Sequence, residues 1–399
     1  MASSYHAIFS PEFLSDPYPT YNYLRAHSPI CFLEDMNGWA VTGHREAVMV
    51  LKDKRFGSSV RVGPSIQENV PLFSKLQENS LVHVDQPRHT RLRGVLQRSF
   101  DPAIMRQLQG PIRTIVTGLL DDIAARGGSE IEYIRDFAFP VPTSVIAQFV
   151  GVPPSERQLF RNWSRGITEG FDINATPEMQ IAANTVFREF REYILKLAEE
   201  RRRSPRDDLM TRFVEAQDEE GRISEEELVN NCILLLTAGH ETSASLLTNG
   251  ILTLLQHPDQ MARLKDNPSL MSSAIEEMMR YSRSLQMVMR VVKEDFELDG
   301  QRFKQGQTVV LLLSAANRDP SVFPQPDRFD IGRTPNPHLG FGYGIHHCLG
   351  APLARVEAPI ALWEFITRFP DVSLTDQPLE YMVTLRNLTL KELPLRIHE

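Results

Sequence analysis

Ten residues decide how this chain folds: Phe341-Gly342-Tyr343-Gly344-Ile345-His346-His347-Cys348-Leu349-Gly350. Their three glycines let the backbone turn tightly and approach a flat ligand closely. A helical pattern follows at once, from Ala351 to Arg368. Cys348 is therefore expected beside a helix N-terminus, where the helix dipole and free N–H groups stabilise an anionic sulfur.

Residue type alone leaves two other interpretations of this segment open. Cys348 is an ordinary buried thiol in the first. In the second, His346, His347 and Cys348 bind zinc, although successive side chains diverge and no second ligand cluster with metal-binding spacing occurs elsewhere.

The ten residues match the pattern FGxGxHxCxG at every specified position, and the segment thereby resembles the cytochrome P450 family. The resemblance implies haem b, iron protoporphyrin IX, with Phe341 and Cys348 in its binding loop. Cys348 would be the axial ligand, whose thiolate electron density favours O–O cleavage.

A second motif lies in a long predicted helix. Ser224, with Glu227 three residues later, predicts a capping box, and the helix it opens can run to Gln256. Within it, Ala238-Gly239-His240-Glu241-Thr242 resembles the oxygen-activating AGx(D/E)T segment of the family. The resemblance implies that Ala238 and Gly239 leave room over the iron and that Glu241 and Thr242 carry protons. Taken alone, Thr242 could equally be a back-bonded core residue.

Four cations match the residues that bind haem propionates in the family. His89 and Arg93 lie four residues apart, on one face of a predicted helix. Arg290 and His346 match two further propionate contacts. Singly, each of the four could be an ordinary surface cation, whereas together they supply the partners that a buried dianion requires.

A third motif, Glu277-Met278-Met279-Arg280, resembles the ExxR of the family, which forms a structural triad with a downstream arginine. We predict Arg328, in Pro326-Asp327-Arg328-Phe329, as that arginine. By itself the Glu277 and Arg280 spacing could be a solvated ion pair. Two features depart from the family: Arg283-Ser284 replaces the usual Ser-Pro, and Pro359 is expected to kink or shift its helix.

The resemblance covers the whole chain and predicts the cytochrome P450 fold: mainly α with small β-sheets (α+β). We expect one domain over residues 1–399, with haem between the long helix and the helix after Cys348. A net charge of −8 argues against a nucleic-acid-coating protein. Three scattered cysteines, no export signal and no apolar run of about 20 residues indicate a cytoplasmic protein with no membrane span.

The resemblance implies a monooxygenase that inserts one atom of O2 into an apolar or partly apolar small molecule, by hydroxylation or epoxidation. Electrons would come from ferredoxin or flavodoxin and an NAD(P)H-dependent reductase. A peroxide-using peroxygenase and a non-catalytic haem-based sensor are the alternatives. Aligned positions predict the substrate wall as Leu235, Ala238, Gly239, Leu285, Val288, Met289 and Leu388, with residues 60–81 and 163–183 as a mobile lid.

One stretch of this acidic chain is strongly basic. Between residues 88 and 113 the single acid is Asp101, against the arginines 88, 91, 93, 98, 106 and 113. Such asymmetry predicts an electron-partner docking surface, since complementary charge steers a small acidic protein. A solvated arginine face is the other interpretation.

Overall fold

The computed structural model describes residues 13, 16–58, 78–170, 176–218, 222–383 and 388–397. Close contacts divide the chain into two compact units. Unit 1 comprises Met1–Val60, Leu120–Ala138 and Ser245–Glu399, and unit 2 comprises Arg61–Leu119 and Phe139–Ala244. The single domain over residues 1–399 stays a prediction.

Helices make up most of the described chain. In order they are α1 Tyr18–His27, α2 His44–Lys52, α3 Arg88–Gln97, α4 Pro102–Arg126, α5 Pro140–Val150, α6 Arg157–Gly170, α7 Pro177–Arg203, α8 Leu209–Asp218, α9 Glu225–Gln256, α10 Pro258–Asp266, α11 Met271–Tyr281, α12 Leu313–Ala316 and α13 Ala351–Arg368. None of these described helices is long and apolar enough to cross a membrane.

The strands are short. They are β1 Ile30–Leu33, β2 Gly38–Val41, β3 Phe56–Gly57, β4 Glu130–Glu132, β5 Met287–Val292, β6 Phe296–Leu298, β7 Gln301–Phe303, β8 Thr308–Leu312, β9 Ser373–Leu374, β10 Tyr381–Val383, β11 Leu388–Leu390 and β12 Pro394–Arg396. The prediction of a mainly α fold with small sheets is confirmed.

The predicted capping box forms and begins the long helix α9 where the sequence indicates. Ser224 Oγ accepts a hydrogen bond from the Glu227 N–H at 3.2 Å, and Glu227 Oε2 accepts one from the Ser224 N–H at 3.0 Å. These bonds satisfy N–H groups that have no partner within the helix. The 32 residues of α9 span about 48 Å.

Unit 1 contains a five-stranded sheet with the order β1-β2-β8-β5-β3. Side chains alternate between its faces, as the period of two in a strand requires. In β8, Val309 and Leu311 pack in one apolar cluster with Trp39, whereas Val310 and Leu312 pack in another with Tyr21. Both faces of the sheet are therefore buried.

Aromatic packing and one buried ion pair organise unit 2. Trp163 of α6 stacks on Phe190 of α7, with ring centroids 5.1 Å apart. Arg201 pairs with Asp208 at 2.6 Å and also donates to the carbonyl of Gly151, which ends α5. Only glycine suits residue 151, because its φ is +103° and a Cβ would lie 2.2 Å from the Asp208 carboxylate.

Pro359 lies inside α13, and the helix continues from Ala351 to Arg368, so the kink or shift expected there stays a prediction. The loss of one backbone hydrogen bond is therefore tolerated within this helix.

Candidate functional site

The cysteine loop of unit 1 is held in its turn by glycines and backbone hydrogen bonds. The Cys348 N–H donates to the Phe341 carbonyl at 2.8 Å. Gly342 and Gly344 have φ angles of +69° and +73°, and a Cβ on Gly344 would lie 2.5 Å from the Leu51 carbonyl oxygen. The loop thus needs glycine for conformation at both positions and for close approach at Gly344.

The three cysteines differ in environment. Cys348 is partly exposed and stands three residues before α13. Cys232 is completely buried in α9, and burial raises the pKa of its thiol. Cys31 is partly exposed in β1, where partial burial also raises the pKa of the thiol. Cys348 alone combines an accessible sulfur with a helix N-terminus, which stabilises a thiolate.

The AGHET segment in unit 2 presents one accessible face. Ala238 and Thr242 are exposed, whereas His240 is 1% exposed. The Thr242 hydroxyl donates to the Ala238 carbonyl at 2.9 Å, which leaves the lone pairs of Oγ1 free to accept a hydrogen bond. Thr242 is therefore back-bonded, but it is not a core residue.

The structure shows a packing role for Gly239. A Cβ on this residue would lie 3.2 Å from Cγ1 of Ile146, in α5. The missing side chain therefore allows α9 and α5 to pack closely. The place of Gly239 in the substrate wall and beside the iron stays a prediction.

His240 and Glu241 differ in the side of α9 they occupy. Burial lowers the pKa of His240, although the nearby Glu241 carboxylate opposes this shift. His240 Nδ1 is 2.8 Å from the Leu236 carbonyl oxygen and 3.3 Å from Ser164 Oγ of α6. Glu241 is partly buried, and because neighbouring helical positions do not share a face, Glu241 and Thr242 lie on different sides of α9.

Helix α3 carries two of the predicted propionate partners. His89 is 2% exposed and Arg93 is half-buried, and their spacing places them on one face of the helix. In unit 1, Arg290 and His346 are also half-buried. All four side chains thus combine partial or complete burial with hydrogen-bond donors suited to carboxylates.

The neighbouring arginines of α3 have a partner that the sequence interpretation missed. Arg88 and Arg91 pair with Glu227 at 3.0 and 2.6 Å, and that carboxylate is only 4% exposed. Burial acts to raise the pKa of Glu227, but hydrogen bonds from Arg91, the Ser224 N–H and Arg88 lower it to about 2. Arg88 and Arg91 are thus paired, but their side chains remain 44% and 41% exposed, so their part in partner docking stays a prediction.

The ExxR pair forms inside unit 1, with a different third residue from the one predicted. Glu277 and Arg280 pair at 2.8 Å, and both side chains are completely buried. Arg333 Nε donates to both Glu277 oxygens at 3.1 Å. Arg328 contributes only its backbone carbonyl, which accepts from Arg280, while its own side chain is exposed and contacts Gln325. Arg333 therefore replaces Arg328 in the triad.

We expect unequal effects from removing these two arginines. Arg333→Met removes two charge-assisted hydrogen bonds from a buried carboxylate and should lower the free energy of unfolding by about 3 kcal/mol. Arg328→Met should change it by no more than about 0.5 kcal/mol, as is usual at exposed positions. Chemical denaturation followed by circular dichroism measures both, and a larger loss for Arg328→Met would contradict this triad.

The predicted substrate wall is only partly described. Leu235, Leu285 and Val288 are partly buried. Val288 packs against the cluster that contains Val309, whereas Met289 packs on the opposite face of the sheet with Val310. Val288 and Met289 therefore cannot line one surface together. Val288 lies on the same face of β5 as Arg290, and Met289 lies on the opposite face. The Leu388 side chain and residues 60–77 and 171–175 of the predicted lid lie outside the described residues.

Comparison with known proteins identifies the family. The cytochrome P450 family model matches residues 171–397. The biotin biosynthesis cytochrome P450 of Bacillus subtilis is 39% identical over 389 residues, which are 97% of each chain. The chain belongs to the cytochrome P450 family. Members of this family bind haem b, and the chain is accordingly a haem-dependent monooxygenase of small organic substrates.

Solved structures show the cytochrome P450 fold. P450BioI, in complex with acyl carrier protein ligated to hexadec-9Z-enoic acid, has a TM-score of 0.90 and 38% identity, and the match covers 97% of this chain and 100% of that one. Myxobacterial CYP267B1 in complex with myristic acid also has a TM-score of 0.90, with 37% identity and coverage of 99% and 100%. The predicted fold class and cofactor are confirmed.

Proposed function

We propose that Cys348 is the axial ligand of the haem in this monooxygenase. The observation that carries the proposal is the environment of its thiol: a partly exposed sulfur beside the N-terminus of α13. A Cβ on Gly350 would lie 3.9 Å from the sulfur and meets nothing closer, so this side of the loop stays open. The haem supplies the activation of O2, and the protein orients, excludes water and delivers protons.

Arg290 and His346 of unit 1, and His89 and Arg93 of unit 2, are the proposed partners of the propionates. Burial of a carboxylate requires hydrogen bonds and opposite charge, and an arginine fork grips a carboxylate through two bonds. The half-buried or buried positions of these four side chains support this role.

Thr242 and Glu241 are the proposed proton-handling pair. The Thr242 hydroxyl already donates its proton to the Ala238 carbonyl, so Oγ1 can accept a hydrogen bond on the exposed face of α9. Once Oγ1 accepts a hydrogen bond, the hydroxyl can donate its own proton to the next group and then become protonated again. Because Glu241 does not share the face, its carboxylate supplies protons through intervening water. Each of the two residues therefore handles a different part of the path.

For the substrate, we propose a long-chain fatty acid or fatty acyl group. P450BioI and CYP267B1, two relatives with closely similar folds, are in complex with such chains. The aliphatic side chains of Leu285 and Val288, both in unit 1, suit an unbranched hydrocarbon, which offers no hydrogen bonds along its length. This is narrower than the apolar class that the sequence predicts.

A spectral titration distinguishes this substrate class from steroids. Myristic acid should bind in the active site of the haem-loaded protein and shift the Soret band in proportion to occupancy. Testosterone, which is rigid and broad, should give no saturable shift at the same concentrations. A saturable shift with testosterone alone would contradict the fatty-acyl proposal.

Bacterial members of this family use redox partners, and we propose a ferredoxin or flavodoxin reduced by an NAD(P)H-dependent reductase. The basic surface of unit 2 comprises Arg88, Arg91, Arg98, Arg106 and Arg113, all of which are exposed. Arg106 and Arg113 lie two turns apart on one face of α4. Their charge can steer an acidic partner.

The cysteine loop of unit 1 exposes two large apolar side chains, Tyr343 at 38% and Ile345 at 41%. The Lys52 ammonium lies 5.1 Å from the centroid of the Tyr343 ring. Aromatic and aliphatic side chains with a cation at the edge are typical of protein interfaces. This surface supports partner contact close to the proposed ligand, and a reducing compartment such as the cytoplasm would suit both partner and thiolate.

A further inference from the structure

A charged cluster joins three elements of unit 1 beside the cysteine loop. Arg355 of α13 donates to Glu276 of α11 through two parallel bonds, Nε to Oε1 at 2.7 Å and Nη2 to Oε2 at 2.9 Å. This geometry fixes the plane and position of the guanidinium. Glu276 precedes the ExxR glutamate, and neither Glu276 nor Arg355 belongs to that triad.

His338 anchors the chain segment that leads into the loop. Its Nδ1 accepts a hydrogen bond from the Gly340 N–H at 3.0 Å, so the ring proton is on Nε2. Nε2 donates to Glu276 Oε2 at 2.9 Å. A Cβ on Gly340 would lie 2.9 Å from the Met279 carbonyl oxygen, which shows how closely this segment packs on α11.

Phe341 contacts both the charged cluster and Cys348. The guanidinium carbon of Arg355 lies 4.6 Å from the centroid of the Phe341 ring, a cation–π contact. The Phe341 carbonyl accepts the Cys348 N–H at 2.8 Å. Arg355 is therefore packed against the residue that holds the backbone of the proposed ligand.

The charge of Arg355 acts on Cys348 as well. The pKa of Arg355 is raised, first by the hydrogen bond to Glu276, and the attraction of the Cys348 thiolate also contributes. The Arg355 side chain is 43% exposed, so water screens this attraction in part. Glu276 is less exposed, at 27%, and opposes the arginine with a negative charge.

Given the proposed Cys348 ligation, we propose that Arg355 is a positioning residue whose fixed positive charge raises the reduction potential of the haem. Reduction adds one negative charge to the haem and its thiolate ligand, and a nearby cation favours the more negative state. Glu276 holds the guanidinium in place and offsets part of its effect. The reduction potential for the first electron transfer to the haem therefore depends on Arg355 and Glu276.

Opposite charge changes should shift the midpoint potential in opposite directions. Arg355→Gln removes the cation and should lower the potential, by no more than about tenfold in the equilibrium constant, or 59 mV for one electron, because the site is part-exposed. Glu276→Gln removes the anion and should raise the potential. Arg355→Lys keeps the charge and should stay closer to the unaltered protein than Arg355→Gln does.

Arg263→Gln is the matched control. Arg263 pairs with Asp330 at 2.8 Å and is 44% exposed, close to the exposure of Arg355, but it contacts neither Phe341 nor the loop in any described bond. Redox titration of the holoenzymes should show no shift for this variant. A general loss of packing in the Arg355 and Glu276 variants would move both potentials in the same direction.

The carbon monoxide spectrum separates the two ways in which the experiment can fail. If the unaltered, reduced protein lacks the thiolate band, the proposed ligation by Cys348 is wrong and this inference falls with it. If the band is present and Arg355→Gln and Glu276→Gln leave the potential unchanged or shift it in one direction, only the inference about Arg355 is wrong. If Arg355→Gln does not fold, the midpoint potentials of Glu276→Gln and Arg355→Lys test the inference about Arg355 instead. They are compared with the shifts predicted above for these two variants.

Discussion

Replacement of Cys348 by alanine abolishes the thiolate band of the reduced, carbon-monoxide-bound protein, the band from which the family takes its name. This is the largest effect we expect from any single substitution, because the band requires sulfur donation to the iron. Alanine has no group that can replace the sulfur, and the neighbouring His346 and His347 would give a histidine-type spectrum if they bound the iron instead. Difference spectroscopy of freshly purified protein measures the loss.

Cys31→Ala and Cys232→Ala are the matched controls. Cys232 lies completely buried in α9 and Cys31 lies in β1, so neither sulfur is available at the start of α13. Both variants should keep the band at its original wavelength. Persistence of the band in Cys348→Ala, or its loss in either control, would contradict the assignment.

Local sequence signals predicted much of the fold correctly. The capping box at Ser224 and the following apolar run predicted α9 to the residue, because the cap satisfies N–H groups locally and needs no distant partner. The short strand β4 went unpredicted, since its pairing with β12 joins residues more than 250 positions apart.

Long-range pairing also explains the errors in the site. Arg333 was missed because nothing within its own segment marks it, whereas Arg328 stands in a recognised motif; only the folded chain brings Arg333 to Glu277. The predicted triad had the right number of arginines, and the error concerned only which downstream arginine reaches the buried Glu277 carboxylate.

The assignment of an acidic residue to a local capping motif also led the sequence analysis to miss an ion pair in unit 2. The acidic residue that binds Arg88 and Arg91 is Glu227, which the sequence had already assigned to a helix cap. A single carboxylate can accept several hydrogen bonds, so one role does not exclude the other. The packing of Gly239 against Ile146 is likewise invisible in the sequence, where a glycine next to Ala238 resembles only a space-making residue.

Thr242→Ala should keep haem binding and cofactor oxidation yet lower product formation on the order of 10²-fold, the contribution expected of a positioned proton-transfer group. Alanine cannot accept a hydrogen bond on the open face of α9, so protons arrive without control and reducing equivalents end in peroxide and water. Product, peroxide and oxidised cofactor, measured in one reaction, give the coupling ratio.

Thr237→Ala is the matched control for this prediction. Thr237 lies in the same helix, and its hydroxyl makes the same kind of back-bond, to the Ile233 carbonyl at 2.8 Å. Its substitution should leave the coupling ratio unchanged, and Thr242→Ser should restore most of the product. Equal uncoupling in Thr237→Ala and Thr242→Ala would show a general effect of helix bonding and no proton role for Thr242.

The most direct test of the whole account supplies isotopically labelled dioxygen together with NAD(P)H, reductase, ferredoxin and a fatty acid. The mass of the product is then measured by mass spectrometry. The account predicts one labelled oxygen atom in each product molecule and the other atom in water, with peroxide unable to replace dioxygen efficiently. Product that carries no label, or product formed from peroxide at an equal rate without an electron donor, would contradict a monooxygenase that depends on Cys348, Glu241 and Thr242.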